Sequence, residues 1–294
     1  MKTPLVIAAL IGLAVLSPPA LAKKKTSPRV DQVRGVYELP KQASHKSIYD
    51  TLKRRRILEQ LRIMLSPFRL PRRLTLRLQD CGGKTDASYE DDIVTFCYEY
   101  VEYLQQYAPG VGTPGGLTPA DAIFSATLDT FLHEVGHAVF DMLDVPVFGR
   151  EEDAADYFSA YILLRFAPNE ARRLIQGVAF VAGNEAKATL EKAPDVDTLA
   201  GEHGLSAQRY FNVLCIAYGS DSKAYVKAVT RGGLPKERAE GCADEFEMLQ
   251  RAFRKLLRPH VDQSLLRKAR ARVRFKWDEL VPSTAGRDAP PIGK

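Results

Sequence analysis

The sequence predicts an α+β fold, and three observations carry that prediction. Strand-like stretches are confined to the first third of the chain, at Gly35–Leu39, Leu74–Leu78 and Ile93–Cys97. Beyond them the apolar residues recur at helical rather than alternating spacing. Strands followed by a run of helices place sheet and helices in separate parts of one core. At 294 residues, with 45% hydrophobic and 27% charged residues, the chain can bury a sizeable core, and wholesale disorder and a multi-span membrane protein are both excluded.

The N-terminus reads as a secretory leader. Lys2 precedes an apolar run from Pro4 to Val15, and Ala20-Leu21-Ala22 supplies a small-residue cleavage site, so residues 1–22 form a signal peptide. The alternative is an uncleaved anchor, since this stretch is nearly long enough to span a bilayer. Lys23, Lys24 and Lys25 weakly oppose translocation. Either way the globular part is extracytoplasmic, periplasmic or secreted. Residues 23–34 make a polar lead-in, 35–280 the domain, and 281–294 a flexible tail.

In that compartment four cysteines acquire meaning. Cys81, Cys97, Cys215 and Cys242 form an even set, and of three connectivities the local one is chosen, Cys81 with Cys97 and Cys215 with Cys242. A four-cysteine zinc site is disfavoured because no Cys-x-x-Cys pair occurs. The net charge of +6 suits solubility and peripheral contact with an anionic cell surface. No nucleic-acid-binding pattern accompanies it, and the densest basic run, Lys53-Arg54-Arg55-Arg56, reads as a solvated helix face.

The helices follow in order. One is expected from Ser47 until Pro67 ends it, and another through Tyr98–Tyr107 before the glycine-rich loop Pro109–Gly116. Thr118-Pro119-Ala120-Asp121 offers an N-cap oxygen, a proline at the first helical position and a carboxylate at N3, which starts a helix carried through Leu143. After a turn with Pro146 and Gly149, a helix spans about Arg150 to Phe166. Ala171–Phe180 and Glu185–Leu190 read as two short helices, Ser206–Tyr218 and Glu237–Leu257 as longer ones, and Asp262–Arg274 as a basic one. Trp277 reads as a core-edge residue more simply than as a partner contact.

The chemistry lies in His133-Glu134-Val135-Gly136-His137. Residues four apart on a helix share a face, so His133 and His137 can direct two imidazoles at one metal ion while Glu134 reaches a water there. Chance supplies this pattern on the order of once in a hundred such chains, so it is specific without being decisive. A catalytic zinc site commonly takes a third protein ligand and keeps one open position. Glu152 is the candidate ligand, and Asp156, one turn further on, is placed to orient a ligating histidine. Glu151 and Asp153 read as helix-start carboxylates favoured by the dipole. His203, Arg209 and Tyr210 are candidate stabilisers of a developing oxyanion, against plainer parts as loop, salt-bridge and core residues. His45 and His260 receive no role.

Together Cys97-Tyr98-Glu99, His133-Glu134-Val135-Gly136-His137-Ala138, Gly149-Arg150-Glu151-Glu152-Asp153-Ala154-Ala155-Asp156, and Gln208-Arg209-Tyr210 leading to Cys215 and Tyr218-Gly219 resemble the bacterial metallopeptidases of the DUF4344 type. The likeness covers about residues 35–280. More distantly the chain is similar to zinc peptidases with a glutamate third ligand. The resemblance implies a zincin-like architecture, with a small mixed sheet over an active-site helix and a mainly helical C-terminal half. It differs from the better-known peptidases in spacing, since only fourteen residues separate His137 from Glu152.

The expectation is therefore a monomeric zinc peptidase acting on peptide or protein substrates, with no nucleic-acid partner. A zinc amidase of cell-wall peptides is one alternative. A non-catalytic binding or structural protein stabilised by zinc is the other.

Overall fold

The computed structural model describes residues 32–108, 116–191, 193–231 and 233–277. These belong to one unit, Asp31–Lys294. The expected leader at 1–22, most of the lead-in, residues 109–115 of the glycine-rich loop and the tail at 281–294 lie outside the described residues.

Strands form where the sequence alternates. They are β1 (Val33–Tyr37), β2 (Leu74–Gln79), β3 (Ala87–Glu90) and β4 (Ile93–Cys97), in the order β1-β2-β4-β3. β1 pairs with β2, and β2 with β4, in parallel, while β3 runs antiparallel to β4, so the sheet is mixed as expected. In β2 every second residue, Leu74, Leu76 and Leu78, is fully buried, which fixes the face that packs on the helices. β3 was not expected, because Ala-Ser-Tyr-Glu shows no apolar alternation. Its pairing is set by the Asp91-Asp92 turn, where φ values of 49° and 62° make the two-residue hairpin connection that suits strand twist.

The single helix expected after Ser47 is two, α1 (Lys46–Arg54) and α2 (Ile57–Leu65), parted by Arg56 in the left-handed region. The basic run is not wholly solvated. Arg55 is buried, and its Nη1 donates to Asp121 Oδ1 at 2.8 Å. α3 (Tyr98–Gln106) follows, and then the 25-residue α4 (Pro119–Leu143). At its start the Asp121 N–H donates to Thr118 Oγ1 at 3.1 Å, and the Asp121 carboxylate accepts the Thr118 N–H in return. Asp121 thus caps α4 and holds Arg55, which ties α4 to the α1–α2 corner. The Phe131 ring of α4 stacks on Phe96 of β4 with centroids 4.6 Å apart, seating the helix on the sheet.

α5 (Glu151–Leu163) and α6 (Pro168–Leu190) pack on α4. α6 is one helix where two short ones were expected across Gly183-Asn184. The glycine is used for close packing, since a Cβ there would lie 3.0 Å from the Tyr210 ring, and Asn184 Nδ2 donates to the Tyr107 carbonyl at 2.8 Å. Tertiary contact overrides the local break. The remaining helices are α7 (Val196–Ala200), α8 (Ser206–Ser220), α9 (Lys227–Thr230), α10 (Lys236–Glu240), α11 (Cys242–Ala252) and α12 (Gln263–Arg272). The helix expected over Glu237–Leu257 is interrupted at Gly241 and closes in a π-helical turn, Phe253–Leu257. Trp277 sits at the core edge, its indole N–H donating to Glu170 at 2.8 Å.

Both expected cysteine pairs are present, with Cα atoms 5.5 Å apart for Cys81–Cys97 and 5.1 Å for Cys215–Cys242. Such bridges belong to an oxidising, extracytoplasmic environment. Among the described residues no helix is long and apolar enough to cross a membrane.

Candidate metal centre

The site is built where α4 and α5 touch. Gly136, inside the histidine motif, makes the approach possible, because a Cβ there would stand 3.2 Å from the Ala155 Cα and 3.3 Å from its Cβ. The connection between the helices turns through Asp144, left-handed at φ 51°, and Gly149 at φ 90°. This short path brings the first turns of α5 over His133 and His137.

Three donor atoms converge. His133 Nε2 stands 2.9 Å from Glu152 Oε2 and 3.3 Å from His137 Nε2, and His137 Nε2 is 3.6 Å from Glu152 Oε2. A tetrahedral ion with bonds of 2.0–2.1 Å has ligand–ligand edges of about 3.3–3.4 Å, so these separations fit one zinc-sized cation. The other ring nitrogens are engaged. His133 Nδ1 donates to Asp156 Oδ1 at 2.8 Å, and His137 Nδ1 to Glu151 Oε1 at 2.7 Å. Each imidazole therefore turns Nε2 toward the shared point, the arrangement in which carboxylates orient metal-ligating histidines.

Arg209 completes this support from α8, donating through Nε and Nη2 to Asp156 at 2.8 and 2.7 Å. Burial alone would raise the Asp156 pKa. The Arg209 charge and hydrogen bonds, with that of His133, outweigh it and hold the carboxyl below the usual range. The Glu152 carboxyl is likewise held far down by hydrogen bonds from His133, His137 and His203. For His133, burial works downward, but Asp156 and Glu152 prevail and push its pKa up to about 9.

Glu134 stands apart from this network. Its side chain is buried, and among the described residues it has no hydrogen-bond or ion-pair partner. Burial pushes its pKa up to about 7 against the pull of His133 and His137. Its carboxylate oxygens are not among the fully buried polar atoms that lack a partner, so they reach solvent and are open to take up a proton near neutral pH.

The other expected residues occupy different places. His203, on the loop between α7 and α8, stacks near His133 and sets its Nε2 2.8 Å from Glu152 Oε2, while its side chain remains 56% exposed. Tyr210 is fully buried, packed against Gly183 and Phe211. Sequence reasoning assigned Glu151 only a helix-start role on another face of the helical wheel, whereas its carboxylate reaches His137 Nδ1. It passed over Asp129, one turn before His133, which accepts hydrogen bonds from Ser159 of α5 and whose pKa burial pushes up to about 6. The spacing of Asp129 and His133, four apart on one face, was the available signal. Asp153 pairs with Arg150 at 2.9 Å, in keeping with a helix-start carboxylate.

A second cluster surrounds His45. It is wholly buried, with Nδ1 bonded to Asp80 and Nε2 3.3 Å from Glu102. Glu99 beside it accepts the Cys81 and Gly83 N–H groups at 3.0 and 2.9 Å, so its oxygens pin the loop that carries the first disulfide.

Fold and site together define a protein with a histidine- and carboxylate-lined cluster able to hold a metal ion, on an α+β scaffold. The DUF4344 family model, described as "Putative metallopeptidase", matches residues 37–257, and the chain belongs to that family. Comparison with curated proteins and with solved structures gives no match.

Proposed function

We propose that this chain is an extracytoplasmic zinc peptidase that hydrolyses peptide bonds, with His133, His137 and Glu152 as the metal ligands. The observation that carries the reading is the convergence of the two Nε2 atoms and Glu152 Oε2 at separations of 2.9, 3.3 and 3.6 Å, with both Nδ1 atoms held by carboxylates. Held by these three residues, zinc would supply a Lewis acid and would lower the pKa of a water toward neutrality. Glu134 takes up the water's proton at its carboxylate and passes it to the leaving amine. His203, exposed and beside Glu152, donates from its ring to the oxyanion that develops on the scissile carbonyl. Arg209 acts through Asp156, keeping it ionised against His133. Tyr210 supports the α6–α8 contact.

One observation favours a second reading. His203 Nε2 lies 2.8 Å from Glu152 Oε2, and His133, Glu152 and His203 offer ligand atoms within 4.8 Å of one another, so His203 as a protein ligand would make zinc structural. Glu134→Gln and His203→Ala proteins, assayed for zinc content and for cleavage of a quenched fluorescent peptide library, separate the two. The peptidase reading expects both to keep zinc and Glu134→Gln to lose about 10²–10⁴-fold in turnover. A zinc-loaded wild type that cleaves no peptide, with zinc lost from His203→Ala, supports the closed site.

A further inference from the structure

Away from the metal centre the far end of α5 borders a cavity of about 350 Å³, within the range of small-molecule sites. Glu152 and the cavity residue Ile162 are ten positions apart on that helix, about 15 Å at the helical rise. The cavity is separate from the metal site.

Its walls and mouth differ in character. Phe68, Phe166, Phe253, Leu257 and Val273 make the interior apolar, drawing on α2's end, α5's end, the π-helical turn and the segment after α12. A π-helical turn is a costly way to end a helix and recurs at binding sites. Four arginines also line the cavity, the half-buried Arg165 and the exposed Arg254, Arg258 and Arg270, and no Asp or Glu does. Among the described residues none of the four pairs with a carboxylate. Arg165 lies over the Tyr161 ring at 4.4 Å, and burial together with the Arg165 charge holds the Arg270 pKa below its ordinary value. The Arg165 and Arg270 guanidinium groups repel one another beside an apolar chamber, and an anion between them relieves that repulsion.

We infer that this cavity binds an anionic single-chain amphiphile, its aliphatic chain among the aromatic and aliphatic walls and its carboxylate or phosphate head between the arginines. Charge complementarity selects this occupant over an uncharged one. A fatty acid in solution and a lipid within a bilayer share this chemistry.

The test titrates the full chain with sodium dodecanoate below its micellar concentration, by calorimetry, alongside dodecanol and inorganic phosphate. Saturable one-to-one binding of dodecanoate, at least tenfold tighter than dodecanol or phosphate, is expected. It should weaken at least tenfold in Arg165→Gln/Arg270→Gln, whose thermal unfolding is checked against wild type. Vesicles of phosphatidylcholine with and without phosphatidylglycerol then assign the source. Binding to the anionic vesicles that dodecanoate displaces points to a membrane lipid, and dodecanoate binding without vesicle binding points to a free fatty acid. No saturable dodecanoate binding, equal binding of dodecanol, or indifference to the arginine substitutions in a folded variant would overturn the inference.

Discussion

Asp156 Oδ1 accepts the His133 Nδ1 proton at 2.8 Å while both oxygens of that carboxylate are held by Arg209. The carboxylate is thus fixed in ionisation and direction before it fixes the imidazole. Asp156→Asn is predicted to fold and to bind zinc about 10–100-fold more weakly, read by competition with a chromophoric chelator. Arg209→Met should act in the same direction, because the carboxylate it leaves behind is free to turn.

Gly136 sets the distance between α4 and α5. Adding a methyl group against the Ala155 backbone forces the helices apart, and overpacking of this kind costs about 1–3 kcal/mol. Gly136→Ala should therefore lower the urea midpoint and also weaken zinc binding. Loss of stability with unchanged zinc affinity would mean that the approach serves packing alone.

The disulfide Cys215–Cys242 joins α8 to α11, and Gly219 is required beside it, since a Cβ there would lie 2.0 Å from the Cys242 carbonyl oxygen. Replacing both cysteines with serine is predicted to cost about 2–4 kcal/mol in urea unfolding. Adding a reductant to the wild type should lower the midpoint further, because it also opens Cys81–Cys97.

His45 gives stability a pH dependence of its own, apart from the His133–Glu152 cluster. Burial would depress its pKa, but the Asp80 and Glu102 carboxylates outweigh that and raise it. The stabilisation is complete below the unfolded value of about 6.5 and is lost as pH rises through the folded value. For Asp80, burial is outweighed by His45 and by N–H groups of the 41–42 backbone, which lower its pKa, so its contribution is lost as pH falls below about 4. His45→Gln should flatten the decline of stability on the alkaline side of pH 6.5. Denaturation midpoints from pH 5 to 9 would reveal it, and an unchanged slope would contradict the pairing.

Much of the scaffold was legible in the sequence because local rules and tertiary structure agree there. Leu74–Leu78 alternates and is buried on alternate residues, and Thr118 to Asp121 form the cap that their side chains allow. Legibility failed where distant contacts decide. Arg55 looked solvated until Asp121 met it, Gly183 looked like a break until Tyr210 packed on it, and β3 exists because a turn pairs it with β4. At the candidate site the spacing of His133 and His137 could be read directly. The carboxylates on α5 could be placed only approximately, because their reach depends on how closely Gly136 lets that helix approach.

The most direct measurement is the zinc content of protein purified from an oxidising compartment, for wild type, His137→Ala and Glu152→Ala. One zinc per wild-type chain, lost in both folded variants, is the predicted result. Folded wild-type protein that takes up no zinc when it is supplied would contradict the assignment of His133, His137 and Glu152 as ligands, and the peptidase reading with it.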